Sequence, residues 1–257
     1  MFEIFNQLSY TPGQWAVLIL CAFLVGVSKT GFPGMGIINV PIMAIMFPAK
    51  ISTGLILPML AFADLFAVAY YRRHAHWNHV FKLLPWALLG IGTGSVVMMY
   101  ISDEQLEPII GVIVLLMLGM NYWRNKSSDK LNIPSHWSFA AMMGFSAGLT
   151  TQLANAAGPI MTIYLLAMQL PKNEFIGTGA WYFLILNWLK MGLFAVDGRI
   201  TSVTLSTNVM LLPVIAVSAF AGFKLASLVP QKQFNNIVQA LAAVAALKLA
   251  SSMFRFL

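Results

Sequence analysis

The sequence has one cysteine, Cys21, only eight acidic residues, and a charged fraction of just 9% over its 257 residues. A single thiol excludes an internal disulfide and a cysteine-built metal cluster. So little charge excludes an ordinary water-soluble domain, where about a quarter of residues are charged. A Walker-type GxxxxGK[ST] phosphate loop is missing, which excludes a self-contained ATP-driven pump. Neither a nucleophile–base pair nor a metal-ligand set stands out, so no enzyme activity, cofactor or bound metal is expected. The first residues, MFEIFNQ, are acidic and polar rather than basic, so no cleavable signal peptide is expected.

What is present is apolar. Hydrophobic residues make up 59% of the chain, and several runs reach about 20 residues, enough to cross ~30 Å of hydrocarbon. The expectation is a polytopic, all-α membrane protein in contact with lipid. Long spans read at 51–71, 80–100, 108–123, 175–196, 203–225 and 234–254. The +7 net charge does not imply nucleic acid, because the bases are spread through loops. Arg72, Arg73 and Lys82 flank one loop and Arg124, Lys126 and Lys130 another, while ISDEQLE between them carries Asp103, Glu104 and Glu107. The positive-inside rule puts the basic loops in the cytoplasm and both termini outside. Lys50, Arg199 and Arg255 are then external, and Lys29, Lys190 and Lys248 lie in hydrophobic segments. His74, His76 and His79 read as a solvated cytoplasmic loop without nearby carboxylates rather than a metal site.

Two regions break the pattern. SKTGFPGMGIINVP, Ser28 to Pro41, interrupts the apolar region 15–47, and SAGLTTQLANAAGP, Ser146 to Pro159, interrupts 137–170. Each region reads as two short apolar pieces of ~11–17 residues, a broken or re-entrant hairpin too short for two full crossings. The breaks are 118 residues apart, and at that offset Gly26 falls on Gly144, Ser28 on Ser146 and Pro41 on Pro159. Small insertions extend the match. Gly54 meets Gly177 and Asp64 meets Asn187 at an offset of 123, and Pro85 meets Pro213 at 128. The chain therefore divides into a repeat over 1–123, a linker over 124–134 and a repeat over 135–257. A hairpin plus three spans is an odd number of crossings, so the repeats are expected to be inverted. Matching interruptions in two such halves point to a substrate site.

The break residues suggest an anion. Lys29 at membrane depth costs roughly 3 kcal/mol unless it is paired or faces water. Gly31, Gly34 and Gly36 allow close backbone approach, and Pro33 stops the first half-helix. The half-helix after the break would offer its N–H groups and positive dipole end. Ser28, Thr30 and Asn39 add neutral partners there, as do Thr150, Thr151, Gln152 and Asn155 in the second break. For the polar side chains, helix-to-helix hydrogen bonding is the plainer alternative. Asp64 is the only acid deep in a span, either a partner for Lys29 or a proton carrier. Lys190 shares a helix face with Asn187 and could meet the substrate or reach an interface.

The first break, GVSKTGFPGMGIINVP, the second ending in NAAGP, and the repeat of hairpin and spans resemble the sulfite exporter TauE/SafE family of bacterial membrane proteins. The likeness runs from about Cys21 to Met253. It implies a multi-pass protein of the bacterial cytoplasmic membrane that moves sulfite, short organosulfonates or related small anions outward. Two departures bear on the substrate: Lys29 stands where a small residue is expected, and the second break is rich in amides rather than glycines. An exporter of a small anion is the leading expectation. An anion channel, or a proton-coupled importer of small organic anions, would use the same breaks. A homodimer is compatible with the sequence but not required by it.

Overall fold

The structure is a computed structural model, and it describes residues 10–31, 35–126, 137–225, 240, 243–244 and 246–252. The expected Gly34, the linker's 127–134 and most of the last span lie outside the described residues. Among those described, every regular element is helical. The order is α1 (Pro12–Thr30), a 3-10 turn (Met35–Ile38), α2 (Asn39–Met46), α3 (Ala49–Tyr71), α4 (Trp77–Tyr100), α5 (Asp103–Lys126), α6 (Trp137–Ala154), α7 (Gly158–Ala167), α8 (Lys172–Val196) and α9 (Ser202–Leu225).

Local sequence explains the ends. Thr11 caps α1 through a capping box with Gln14, and Pro12 occupies the first turn, where its missing N–H costs nothing. Pro159 plays the same part at the start of α7. Asn155 ends α6 in the left-handed region at φ 52°, which asparagine tolerates better than most residues.

Stretches Pro12–Thr30, Ala49–His74, Trp77–Tyr100, Asn173–Val196 and Ser202–Lys224 are long and apolar enough to cross a membrane. Their outward faces are greasy, with Met99 78%, Val217 68% and Phe220 65% exposed. In water this would be a liability; against lipid it is the expected surface. The hairpins differ in detail from the expected pairs of short pieces. Their first limbs, α1 and α6, run to 19 and 18 residues, whereas α2 and α7 have only 8 and 10. The capping box accounts for the extra length of α1, since it starts the helix ahead of the apolar run.

Two helix pairs, each joining an earlier and a later part of the chain, pack closely. Helix α9 lies on α1 and α4 lies on α6, and both seams are stripes of small residues. Gly26 abuts Ser218 and Ile215, and Gly222 abuts Thr30 and Val27. In the other seam Gly90 abuts Phe145 and Leu149, while Gly148 abuts Ala87. Such residues let backbones approach closely without displacing a side chain. Helices α3 and α8 cross the centre antiparallel. Gly54, near the start of α3, meets the carbonyl of Arg199 beyond the end of α8; Gly177, near the start of α8, meets that of Tyr71 at the end of α3.

The loops are more ordered than their composition suggests. Arg199, in the loop after α8, is only 2% exposed. Its guanidinium lies 3.3 Å from the Phe194 ring centroid, pairs with Asp197 and donates 3.0 Å to the Gln152 carbonyl. The histidines are not simply solvated either. His79, in α4, hydrogen-bonds Tyr164 at 3.0 Å, and His76 has the Glu174 carboxylate 3.9 Å away.

Candidate functional site

A cavity of about 120 Å³ lies where both breaks meet α3 and α8. The first hairpin contributes Ser28, Lys29, Gly36, Ile37 and Val40, and the second contributes Thr151, Asn155, Gly158, Pro159 and Thr162. Helix α3 adds Ile56, Leu60, Asp64 and Ala67; α8 adds Gly179, Phe183 and Asn187. The two stripes share one register: Ile56, Leu60 and Asp64 stand 123 residues before Gly179, Phe183 and Asn187.

Charge is concentrated on one side. Lys29 Nζ lies 2.7 Å from Asp64 Oδ1, with the carboxylate wholly buried and the lysine side chain 15% exposed. The same ammonium sits 4.3 Å from the Phe183 ring centroid, a cation–π contact. Asn187 Nδ2 donates to the other Asp64 oxygen at 2.7 Å. Lys29 therefore reaches the cavity already paired.

The second break is held by a different cation. Lys190, wholly buried, donates to Thr151 Oγ1 at 2.9 Å and to Asn155 Oδ1 at 2.7 Å. Asn155 Nδ2 in turn donates 3.0 Å to the Thr53 carbonyl. Among the described residues no carboxylate pairs with Lys190. Two lysines and one carboxylate in this buried set leave an excess positive charge whenever both lysines are protonated. Such a set suits an anion.

The family model for the sulfite exporter TauE/SafE matches residues 18–249. The chain belongs to the sulfite exporter TauE/SafE family. Comparison with the curated proteins and with the solved structures returned no match. Membership in the TauE/SafE family makes this a membrane transporter of sulfite or related anions.

Not every residue singled out in this TauE/SafE sequence faces the cavity. Ser28, Lys29, Gly36, Asp64, Thr151, Asn155 and Asn187 line it. Thr30 instead donates to the carbonyls of Gly26 and Ala219, and Gly31 abuts Gly222, so both belong to the α1–α9 seam. Gln152 turns to Ser95 on α4 at 2.9 Å, and Thr150 back to the Ser146 carbonyl. Asn39 is 1% exposed, and neither atom of its amide has a partner. Lys190 stands one layer behind Thr151 and Asn155. Sequence reasoning missed Phe183 and the apolar stripe on α3. The signal was there, because Phe183 precedes Asn187 by one helical turn and Leu60 precedes Asp64 by the same step.

Proposed function

We propose that this TauE/SafE protein exports a small anion, sulfite or a short organosulfonate, by alternating access at the cavity between the two breaks. The observation that carries the reading is the convergence of both breaks on one cavity that contains Lys29. Lys29 supplies the charge, and the first turn of α7 faces the same space with its helix-end N–H groups. Thr151 and Asn155 orient the ligand.

The repeats over 1–123 and 135–257 are inverted in this reading. Supporting it are the antiparallel α3 and α8, the exchange-related seams and the Asp64–Asn187 contact. Residues related by a twofold axis that touch one another lie near that axis. Rocking one repeat against the other would expose the cavity to each side in turn. The protein sits in the bacterial cytoplasmic membrane with both termini external. A cytoplasm-negative potential then favours anion exit by about 2.3 kcal/mol per charge per 100 mV, so export needs no coupling ion.

The Lys29–Asp64 pair supports proton coupling for movement in the other direction. An anion approaching Lys29 competes with the Asp64 carboxylate, and a proton on Asp64 would remove that competitor. Flux of labelled sulfite and isethionate in proteoliposomes tests the proposal. Saturable flux with counterflow is expected; unitary currents would identify a channel, and no flux of any sulfur oxyanion would sink the reading.

A further inference from the structure

We infer that Lys190, Phe194 and Arg199 form a gate that closes the cavity towards the α8–α9 loop, with Arg199 as its bolt. This rests on the alternating-access reading above and assigns the closed side. Along α8 the cavity wall runs from Phe175, Ile176 and Gly179, near the start of the helix, to Asn187 just past its middle. The first three are partly exposed. One turn beyond Asn187 the space is filled, and Lys190, Phe194 and Arg199 are all buried. The Phe194 ring carries two cations, with the Arg199 guanidinium 3.3 Å and Lys190 Nζ 5.3 Å from its centroid. Leu57 of α3 and Ile200 complete the layer in a small apolar cluster separate from the main core.

The loop after α3, at the other end of the cavity, is held more loosely. Arg72, Arg73, His74 and His76 are exposed there. Of its links to α8, the His76 N–H to Thr178 is short at 2.9 Å, while Trp181 Nε1 reaches the Arg72 carbonyl only at 3.4 Å and His76 stands 3.9 Å from Glu174.

The way Arg199 is held makes it a bolt rather than a weld. Its Nε and one terminal nitrogen bind Asp197 in the same loop, at 2.9 and 2.6 Å, and the other terminal nitrogen crosses to the Gln152 carbonyl of α6 at 3.0 Å. Breaking that one bond frees the loop from the second break. Asp197, whose side chain is 31% exposed, can keep the guanidinium paired as it moves towards water. Lys190 and Arg199 both gain hydration when the layer parts, which lowers the cost of opening relative to an all-apolar seal. Packed layers of this kind switch between two arrangements rather than deform gradually.

Thiol labelling of the full chain in membrane vesicles tests this, on a Cys21→Ala background because Cys21 is the only cysteine. Gly179→Cys reports on the cavity, since a Cβ there meets only the Leu165 side chain, at 3.6 Å. Ser202→Cys, exposed at the start of α9, marks the membrane face on which the α8–α9 loop lies. A membrane-impermeant methanethiosulfonate should label Gly179→Cys about 10-fold or more faster from the opposite face than from the Ser202 face. Arg199→Gln should raise the slower rate about 10- to 100-fold and leave the faster one unchanged. Arg199→Lys, which keeps the charge but loses the fork, should raise it less. Equal labelling of Gly179→Cys from both faces with Arg199 intact would overturn the inference, whether or not the variants fold. So would an unchanged side preference in Arg199→Gln, or faster labelling from both faces, which would make Arg199 a structural residue only. Sidedness is read without substrate, so the flux assay decides the transport reading independently.

Discussion

Asn187 on α8 donates its amide to Asp64 on α3 across 2.7 Å, from 123 positions further along the chain. The contact joins the two halves of the chain at the wall of the cavity. It also makes the wall asymmetric, since one half supplies a carboxylate and the other its neutral amide.

Because Asp64 is buried and paired with Lys29, removing either partner alone strands a charge. Lys29→Ala and Asp64→Asn should each lower stability, Lys29→Ala by about 3–5 kcal/mol. The double variant Lys29→Met/Asp64→Asn should recover most of that loss in thermal unfolding. If this folded double variant binds sulfite as well as the parent does, Lys29 has no part in the site.

Asp64→Asn also separates export from proton coupling. Where protonation of Asp64 admits the anion, flux by the parent protein rises as pH falls. The asparagine variant resembles the protonated carboxyl and should carry an anion at a rate independent of pH. A proteoliposome series from pH 5 to 8 reads this directly, and a profile that survives the substitution removes Asp64 from the coupling step.

Lys190 fixes the second break through Thr151 and Asn155. Lys190→Met leaves the buried Thr151 oxygen and the half-buried Asn155 oxygen without their donor and should cost about 1–3 kcal/mol. At Asn155 the backbone adds its own term, because φ is 52°. Asn155→Gly loses the side-chain bonds but frees the left-handed backbone of its Cβ, whereas Asn155→Ala loses the same bonds and keeps a Cβ there without asparagine's tolerance, for about 1–2 kcal/mol more than Gly. Melting temperatures should fall in the order parent, Gly, Ala.

The helix seams give a control series. A Cβ at Gly148 would strike Ala87 and one at Gly222 would strike Thr30, whereas Gly92 and Gly119 face open space. Gly148→Ala and Gly222→Ala should destabilise by about 1–3 kcal/mol. Gly92→Ala and Gly119→Ala, within helices, should be neutral or stabilising by up to about 1 kcal/mol. Equal effects in the two groups would count against the close seams.

Much of this protein was legible in its sequence. Scarce charge and long apolar runs determined an all-helical membrane chain, because backbone groups in hydrocarbon must be satisfied within the segment. The breaks at Ser28–Pro41 and Ser146–Pro159 were visible because glycine, proline and lysine interrupt otherwise continuous apolar sequence. Partnership was not legible. Sequence spacing places Thr30 and Gln152 in the breaks, yet α9 and α4 claim their side chains. Arg199 sits in a loop by sequence but is buried over Phe194. Asp64 read as either a partner for Lys29 or a proton carrier, and it is the docking of α1 on α3 that brings the two to 2.7 Å. A hydropathy pattern records how polar each residue is; which of them meet is decided by helix faces brought together from opposite ends of the chain.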